Sequence, residues 1–324
     1  MYHFKLYKAE DINNKFSVRN GETKLGEQIE FVKKIDNLRQ LESSIVILGI
    51  PESYGPRSNY GKHGAENAWQ AFLNAFLNIQ HNSFISDKKI VLLGAFDLKQ
   101  LETSEESINQ LRKTTQEIDD LVYPLIHTIS ESGHTPIVIG GGHNNCYPII
   151  KGVSMAKKEA IQSINIDPHA DFRVVEGRHS GNGFSYAFND GLLDKYHVFG
   201  LHENYNSQYI INQFKENEKL DFTSFEEILF NNTLIEKLRK AIEFFGKQSI
   251  GIEIDLDSIL NMPSSAFTPS GFSVEEVRKI LNVILKSKSA NYLHICEGAP
   301  NNNKEALIVG KTISYLVSDF IKHY

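Results

Sequence analysis

The strongest constraint on this chain is a recurrence of short, β-branched apolar runs separated by amphipathic stretches. The runs are Ser44 to Leu48 (SIVIL), Ile90 to Leu93 (IVLL), Pro136 to Ile139 (PIVI), Ser163 to Ile166 (SINI), His197 to Phe199 (HVF), Ser249 to Ile254 (SIGIEI) and Tyr292 to Ile295 (YLHI). A strand that is apolar on both faces needs cover on both, so these runs suit a parallel sheet covered by helices. The segments between them carry helical patterns. Ala65, Trp69, Phe72, Leu73, Phe76 and Leu77 fall on one helix face. Leu111, Ile118, Leu121, Val122, Leu125, Ile126 and Ile129 mark a long helix before Gly133. Ser273 with Glu276 reads as a capping box opening a helix through Leu285, and the last helix carries Leu307, Val309, Ile313, Leu316, Val317 and Phe320. This alternation predicts an α/β sandwich with a parallel sheet. No internal repeat or Pro/Ser-rich linker interrupts it, so residues 1–324 read as a single domain.

Composition narrows the function. Hydrophobic residues make up 41% and charged residues 23%, an ordinary globular balance. Lys plus Arg is 34 against 40 Asp plus Glu, a net charge of -6, which argues against a nucleic-acid binder led by phosphate contacts. No run is long and apolar enough for a membrane helix, and the opening MYHFKLYKAED has no apolar signal core. Two cysteines, Cys146 and Cys296, cannot make a disulfide framework, so a cytoplasmic setting is expected. The expected partner is a small-molecule substrate.

In parallel sheets, sites form at the carboxyl ends of strands. Three polar clusters stand there: Gly140-Gly141-Gly142-His143-Asn144-Asn145 after PIVI, Asp167-Pro168-His169-Ala170-Asp171 after SINI, and Asp255-Leu256-Asp257 after SIGIEI. Singly, each has a bland reading as a turn, a loop histidine or a helix cap. Jointly they point to chemistry. Extended segments alternate faces, so Asp167, His169 and Asp171 point one way, as do Asp255 and Asp257. With His143, four carboxylates and two imidazoles aim at one crevice. Unneutralised, the carboxylates would repel and their pKa values would rise. Two divalent metals sharing bridging carboxylates would compensate. Carboxylate and imidazole ligands without thiolate suit Mn²⁺ best, with Fe, Co, Ni or Zn compatible. A phosphate loop at Gly140 to Gly142 is disfavoured, because no Lys-Ser/Thr follows.

The order G-G-x-H, D-x-H-x-D, D-x-D resembles the ureohydrolase family of arginase, agmatinase and formimidoylglutamase. The resemblance covers nearly the whole chain, from ILGIPESYG to Cys296-Glu297-Gly298-Ala299-Pro300, which is similar to that family's E-x-N-P segment. It implies an arginase-like three-layer α/β/α sandwich with a mainly parallel sheet, trimers or hexamers, and two Mn²⁺ held by His143, Asp167, His169, Asp171, Asp255 and Asp257. It implies Asp171 as the proton-handling residue and Glu297 as the partner of the amidinium or guanidinium group. Three positions depart from the pattern. Gly142 replaces an Asp, Glu253 a Ser, and Leu260 the last Asp of the third cluster.

Within the family the chain is most similar to formimidoylglutamase. Arg173 follows the middle cluster, and Ser180-Gly181-Asn182-Gly183-Phe184 matches its Ser-Gly-x-x-Phe loop. N-formimino-L-glutamate carries two carboxylates and an amidine, and the Arg173 guanidinium fork suits one carboxylate. Arg57, Lys62 and Arg178 are candidates for the second. Ser180 and Asn182 are candidates for orienting the substrate, and His179 for a proton shuttle. His202, Glu203, Asn204 and Tyr205 are candidates for the mouth of the site. The implied reaction is hydrolysis to L-glutamate and formamide. The alternatives are a guanidino-substrate hydrolase releasing urea and a metal-binding pseudoenzyme.

Overall fold

A computed structural model describes residues 3–42, 44–85, 89–101 and 107–323. Among these described residues, nine strands form one sheet in the order β1-β3-β2-β4-β9-β8-β5-β6-β7. They are β1 (Phe4–Leu6), β2 (Ile45–Gly49), β3 (Ile90–Phe96), β4 (Thr135–Ile139), β5 (Ile161–Ile166), β6 (Leu193–Leu201), β7 (Leu220–Ser224), β8 (Ile250–Asp255) and β9 (Ala290–Cys296). All pairings are parallel except β1 with β3. The helices are α1 (Tyr54–Ser58), α2 (Ala68–Phe76), α3 (Ile108–Glu131), α4 (Cys146–Lys157), α5 (Gly183–Asn189), α6 (Gln208–Glu216), α7 (Phe225–Asn231), α8 (Leu234–Phe244), α9 (Val274–Ser287) and α10 (Asn303–His323).

Strand alternation divides the apolar side chains between two cores, giving three layers. Ile45, Ile47, Ile137, Ile139, Ile164, Ile166, Ile252 and Ile254 pack with α2, α8, α9 and α10 on one face. Val46, Leu48, Val138, Val198, Tyr196 and Tyr292 pack with α3, α4, α5 and α6 on the other. This is the expected arginase-like α/β/α architecture. The Ser273 box opens α9: the Ser273 hydroxyl accepts from Glu276 N at 3.1 Å, and the Glu276 carboxylate accepts from Ser273 N at 2.7 Å.

The seven expected strands are present, and the edges add β1 and β7. Among the described residues, no helix is long and apolar enough to cross a membrane. The neighbours β4, β9, β8 and β5 matter most for the site, because their carboxyl ends open side by side into one crevice.

Candidate metal centre and active site

His143 begins the turn after β4. Asp167, His169 and Asp171 follow β5. Asp255 ends β8, and Asp257 lies two residues on. Period-two alternation turns Asp167 and Asp255 toward the face that carries α4 and α5, since Ile166 and Ile254 fill the opposite core. Three carboxylates crowd one imidazole nitrogen. His143 Nδ1 lies 3.0 Å from Asp171 Oδ2, 3.0 Å from Asp255 Oδ2 and 3.1 Å from Asp167 Oδ2. One N–H cannot serve three acceptors. These four donor groups, all within 4.8 Å of one another and buried, could hold a metal ion. One imidazole with hard oxygens and no thiolate is a set that fits a Mn²⁺-like cation.

A second half lies beside the first. His169 Nδ1 is 3.4 Å from Asp167 Oδ1 and 4.0 Å from Asp257 Oδ2. Asp167 therefore offers one oxygen to each half. Backbone groups aim these carboxylates: Asp167 Oδ1 accepts from His169 N at 2.7 Å, Asp255 Oδ1 from Asp257 N at 2.7 Å, and Asp257 Oδ1 from Ala266 N at 3.0 Å.

Electrostatics record the crowding. Burial and the charges of Asp257 and Asp167 push the Asp255 carboxyl well up. Burial and Asp167 also raise Asp171. Burial works against ionised Asp167 too, but bonds from His143 and His169 hold its carboxyl well below the usual range. Burial and the Asp257 charge push Glu297 up to about 8. Its Oε1 accepts from His143 N at 2.6 Å, while Oε2 is buried without a hydrogen-bond partner. Asp171 and Glu297 both adopt positive φ, 44° and 61°. That region is strained for residues with a Cβ, and such strain concentrates at working sites.

A cavity of about 260 Å³ opens onto this floor. Its walls include His169, Asp171, Asp255, Asp257, Glu297, Ser180, Arg173, Asn59 and Tyr205. Arg173 Nη1 donates to Asn59 Oδ1 at 2.6 Å, and Asn59 Nδ2 donates to Ser180 Oγ at 3.4 Å. Asn59 carried no sequence signal, because only the tertiary fold brings it to Arg173. Tyr205 stacks on His169 with ring centroids 5.5 Å apart.

Several candidate residues lie elsewhere. Arg178 is buried against Asp119 at 2.7 Å, donates to the Asn144 carbonyl at 2.9 Å, and lies between the rings of Tyr147 and Tyr186. It braces the His143 turn from behind and does not line the cavity. Asn182 uses its side chain inward, accepting from Arg178 Nη1 at 2.9 Å and donating to Gly177 O at 2.8 Å. It does not line the cavity. His179 is buried and accepts from Gly181 N at 3.1 Å. Burial and the nearby arginines lower its pKa to about 3, which makes it a poor proton shuttle at neutral pH. Arg57 lines a different cavity, beside Tyr54 and Trp69. Lys62 lines a neighbouring one that shares His169 and Tyr205. His202 is buried between the rings of Tyr205 and Phe225. Glu203 accepts from Ser224 Oγ at 3.2 Å.

Residues 43–321 match the arginase family model. The chain belongs to the arginase family. A formimidoylglutamase of Macrococcus caseolyticus is 26% identical over 278 residues, covering 84% of this chain and 83% of that protein. One of Streptococcus pyogenes serotype M12 is 25% identical over 244 residues, covering 70% and 72%. The formimidoylglutamase structure of Bacillus subtilis superposes with a TM-score of 0.79 at 17% identity, covering 95% and 93%. A Trypanosoma cruzi formiminoglutamase with Mn²⁺ superposes at 0.73 and 19%, covering 93% and 99%. These superpositions establish the arginase-like fold.

One departure from the arginase-family pattern, Gly142, has a local explanation. A Cβ on Gly142 would lie 2.2 Å from Pro56 Cδ, so this turn has no room for the usual Asp. The turn is bonded to Glu52, which accepts from Gly142 N at 2.8 Å and Asn145 Nδ2 at 2.7 Å. Leu260 is partly exposed.

Proposed function

We propose that this chain hydrolyses N-formimino-L-glutamate to L-glutamate and formamide, with two divalent cations, Mn²⁺ by preference, held by His143, Asp167, His169, Asp171, Asp255 and Asp257. The observation that carries the reading is the shared cavity, lined both by the carboxylates and by the Arg173–Asn59 pair. The named relatives support the same reaction.

When bound, the cations neutralise the carboxylates and activate a water for attack. Asp171 lines the cavity. It takes the proton of the attacking water and passes it to the departing amine nitrogen. Glu297 offers its unpartnered Oε2 to the amidinium, and that cation draws its carboxyl back down into the ionised form. Arg173, steadied by Asn59, receives a substrate carboxylate, with Ser180 beside it. Water adds to the amidine carbon and the C–N bond to the glutamate nitrogen breaks, so the products are the amine and formamide.

The test is product identity. Mn²⁺-reconstituted protein is offered N-formimino-L-glutamate, arginine, agmatine and guanidinobutyrate, with formamide and urea both quantified. Formamide from the first substrate alone is expected. Urea from a guanidino substrate would replace the specificity argument, and silence toward all four with metal bound would point to a pseudoenzyme.

A further inference from the structure

Buried polar side chains lie directly beneath the proposed ligands. Cross-strand register places Asn165, Glu253 and His294 side by side on β5, β8 and β9. Asn165 and Glu253 precede Asp167 and Asp255 by two residues, so they share a sheet face with them. Asn165 has a clear task, since its Nδ2 donates to Asp167 Oδ2 at 2.9 Å.

Glu253 is held on two sides. Its Oε1 accepts from the Tyr292 hydroxyl at 2.7 Å, and its Oε2 lies 2.6 Å from His294 Nδ1. Gly251 makes this possible, because a Cβ there would come within 2.3 Å of the Tyr292 ring. Glu253 Oε2 also lies 3.5 Å from His143 Nε2. That nitrogen is buried and has no hydrogen-bond partner. Among the described residues, no other carboxylate comes within 4.0 Å of it. The Cys296 thiol is also close, but it faces the Ile254 carbonyl at 3.9 Å and is a weak acceptor.

The consequence follows from imidazole chemistry. A cation among the carboxylates needs the lone pair of His143 Nδ1. A neutral ring then carries its one proton on Nε2, where a buried N–H needs an acceptor. We propose that Glu253 is the positioning residue of His143: it receives the Nε2–H, fixes the tautomer, and turns Nδ1 toward the cation. This rests on the two-cation reading of the site. A serine hydroxyl in this place would be neutral. The carboxylate adds charge behind the ring, which strengthens it as a donor, so the ion on the His143 side is held more tightly.

Calorimetric Mn²⁺ titration of chelator-stripped protein tests this without any assay of turnover. Wild type is expected to bind two ions. Glu253→Gln is expected to weaken the ion at His143 by about 10- to 100-fold and to leave the other near its wild-type affinity. In a His143→Ala background the same substitution should add no further loss, because its effect runs through that ring. Tyr292→Phe loosens the carboxylate without removing it and should weaken the same ion less. It also stands in if Glu253→Gln does not fold. Wild-type Mn²⁺ affinity in Glu253→Gln, or in Tyr292→Phe if only that variant folds, overturns the proposal. So does a lowered melting temperature of the metal-free variant with unchanged affinity, or an equal loss in the His143→Ala background. Absence of Mn²⁺ binding by wild type would instead remove the two-cation reading itself.

Discussion

The two halves of the centre differ in how much protein surrounds them. Around His143 the packing is dry: the ring, Asp167 and Asp255 are buried, Phe184 meets the ring edge to face at 5.1 Å, and Arg178 braces the turn from behind. Around His169 the site opens. That side chain is 29% exposed, it stacks on Tyr205, itself 50% exposed, and its nearest carboxylate oxygens lie 3.4 and 4.0 Å away. The closed half is enclosed by packing. The open half faces the cavity. Asp167 is shared between them, with Oδ2 toward His143 and Oδ1 toward His169.

Substitutions can break or sharpen this contrast. The largest expected effect belongs to Asp171, which borders both the closed cluster and the cavity. Asp171→Asn should lower kcat by about 10²- to 10⁴-fold in a formamide assay. Unchanged turnover and metal content would remove its assigned role. Behind the closed half, Arg178→Ala leaves Asp119 buried without its partner, which costs about 3–5 kcal/mol and should show in denaturant unfolding. A neutral result would mean that the His143 turn needs no brace.

At the open end the expected effect is smaller and lies in binding. Arg173→Ala removes one charge-assisted contact worth about 1.5–3 kcal/mol, read as a raised KM with kcat nearly kept. A loss confined to kcat would place Arg173 near the reacting atoms instead. A pH dependence follows as well. His179 has its folded pKa lowered to about 3 from the ordinary histidine value of 6.5. Its contribution to stability is therefore present above about pH 6.5 and is lost as pH falls through about 3, because the unfolded chain takes up the proton first. The stability difference between wild type and His179→Gln should narrow over that window. A constant difference would show that His179 takes up its proton at the same pH in the folded and unfolded chain.

Much of the architecture was legible because buried parallel strands announce themselves. SIVIL, PIVI and SIGIEI have few alternatives to a covered sheet. β1 and β7 were not legible: β1 is three residues long, β7 is the alternating LDFTS, and both are edges where burial writes little into sequence. The proposed ligands were legible from their period-two spacing after strands. The same spacing could have flagged Glu253, two residues before Asp255, as a side chain on the ligand face. Asn59 and the direction of Arg178 could not be read in this way. A loop asparagine becomes a partner of Arg173 across 114 positions only through the fold. A loop arginine gives no sign of whether it turns to substrate or to a buried aspartate on α3.

The central claim is that a two-cation cluster in this cavity hydrolyses a linear amidine. Its most direct test is to add Mn²⁺ stepwise to chelator-stripped protein in the presence of N-formimino-L-glutamate while following formamide. The account predicts negligible release without metal and a rise that levels off as the second equivalent is taken up. Formamide release that is indifferent to Mn²⁺, or full Mn²⁺ occupancy with no formamide, would contradict it.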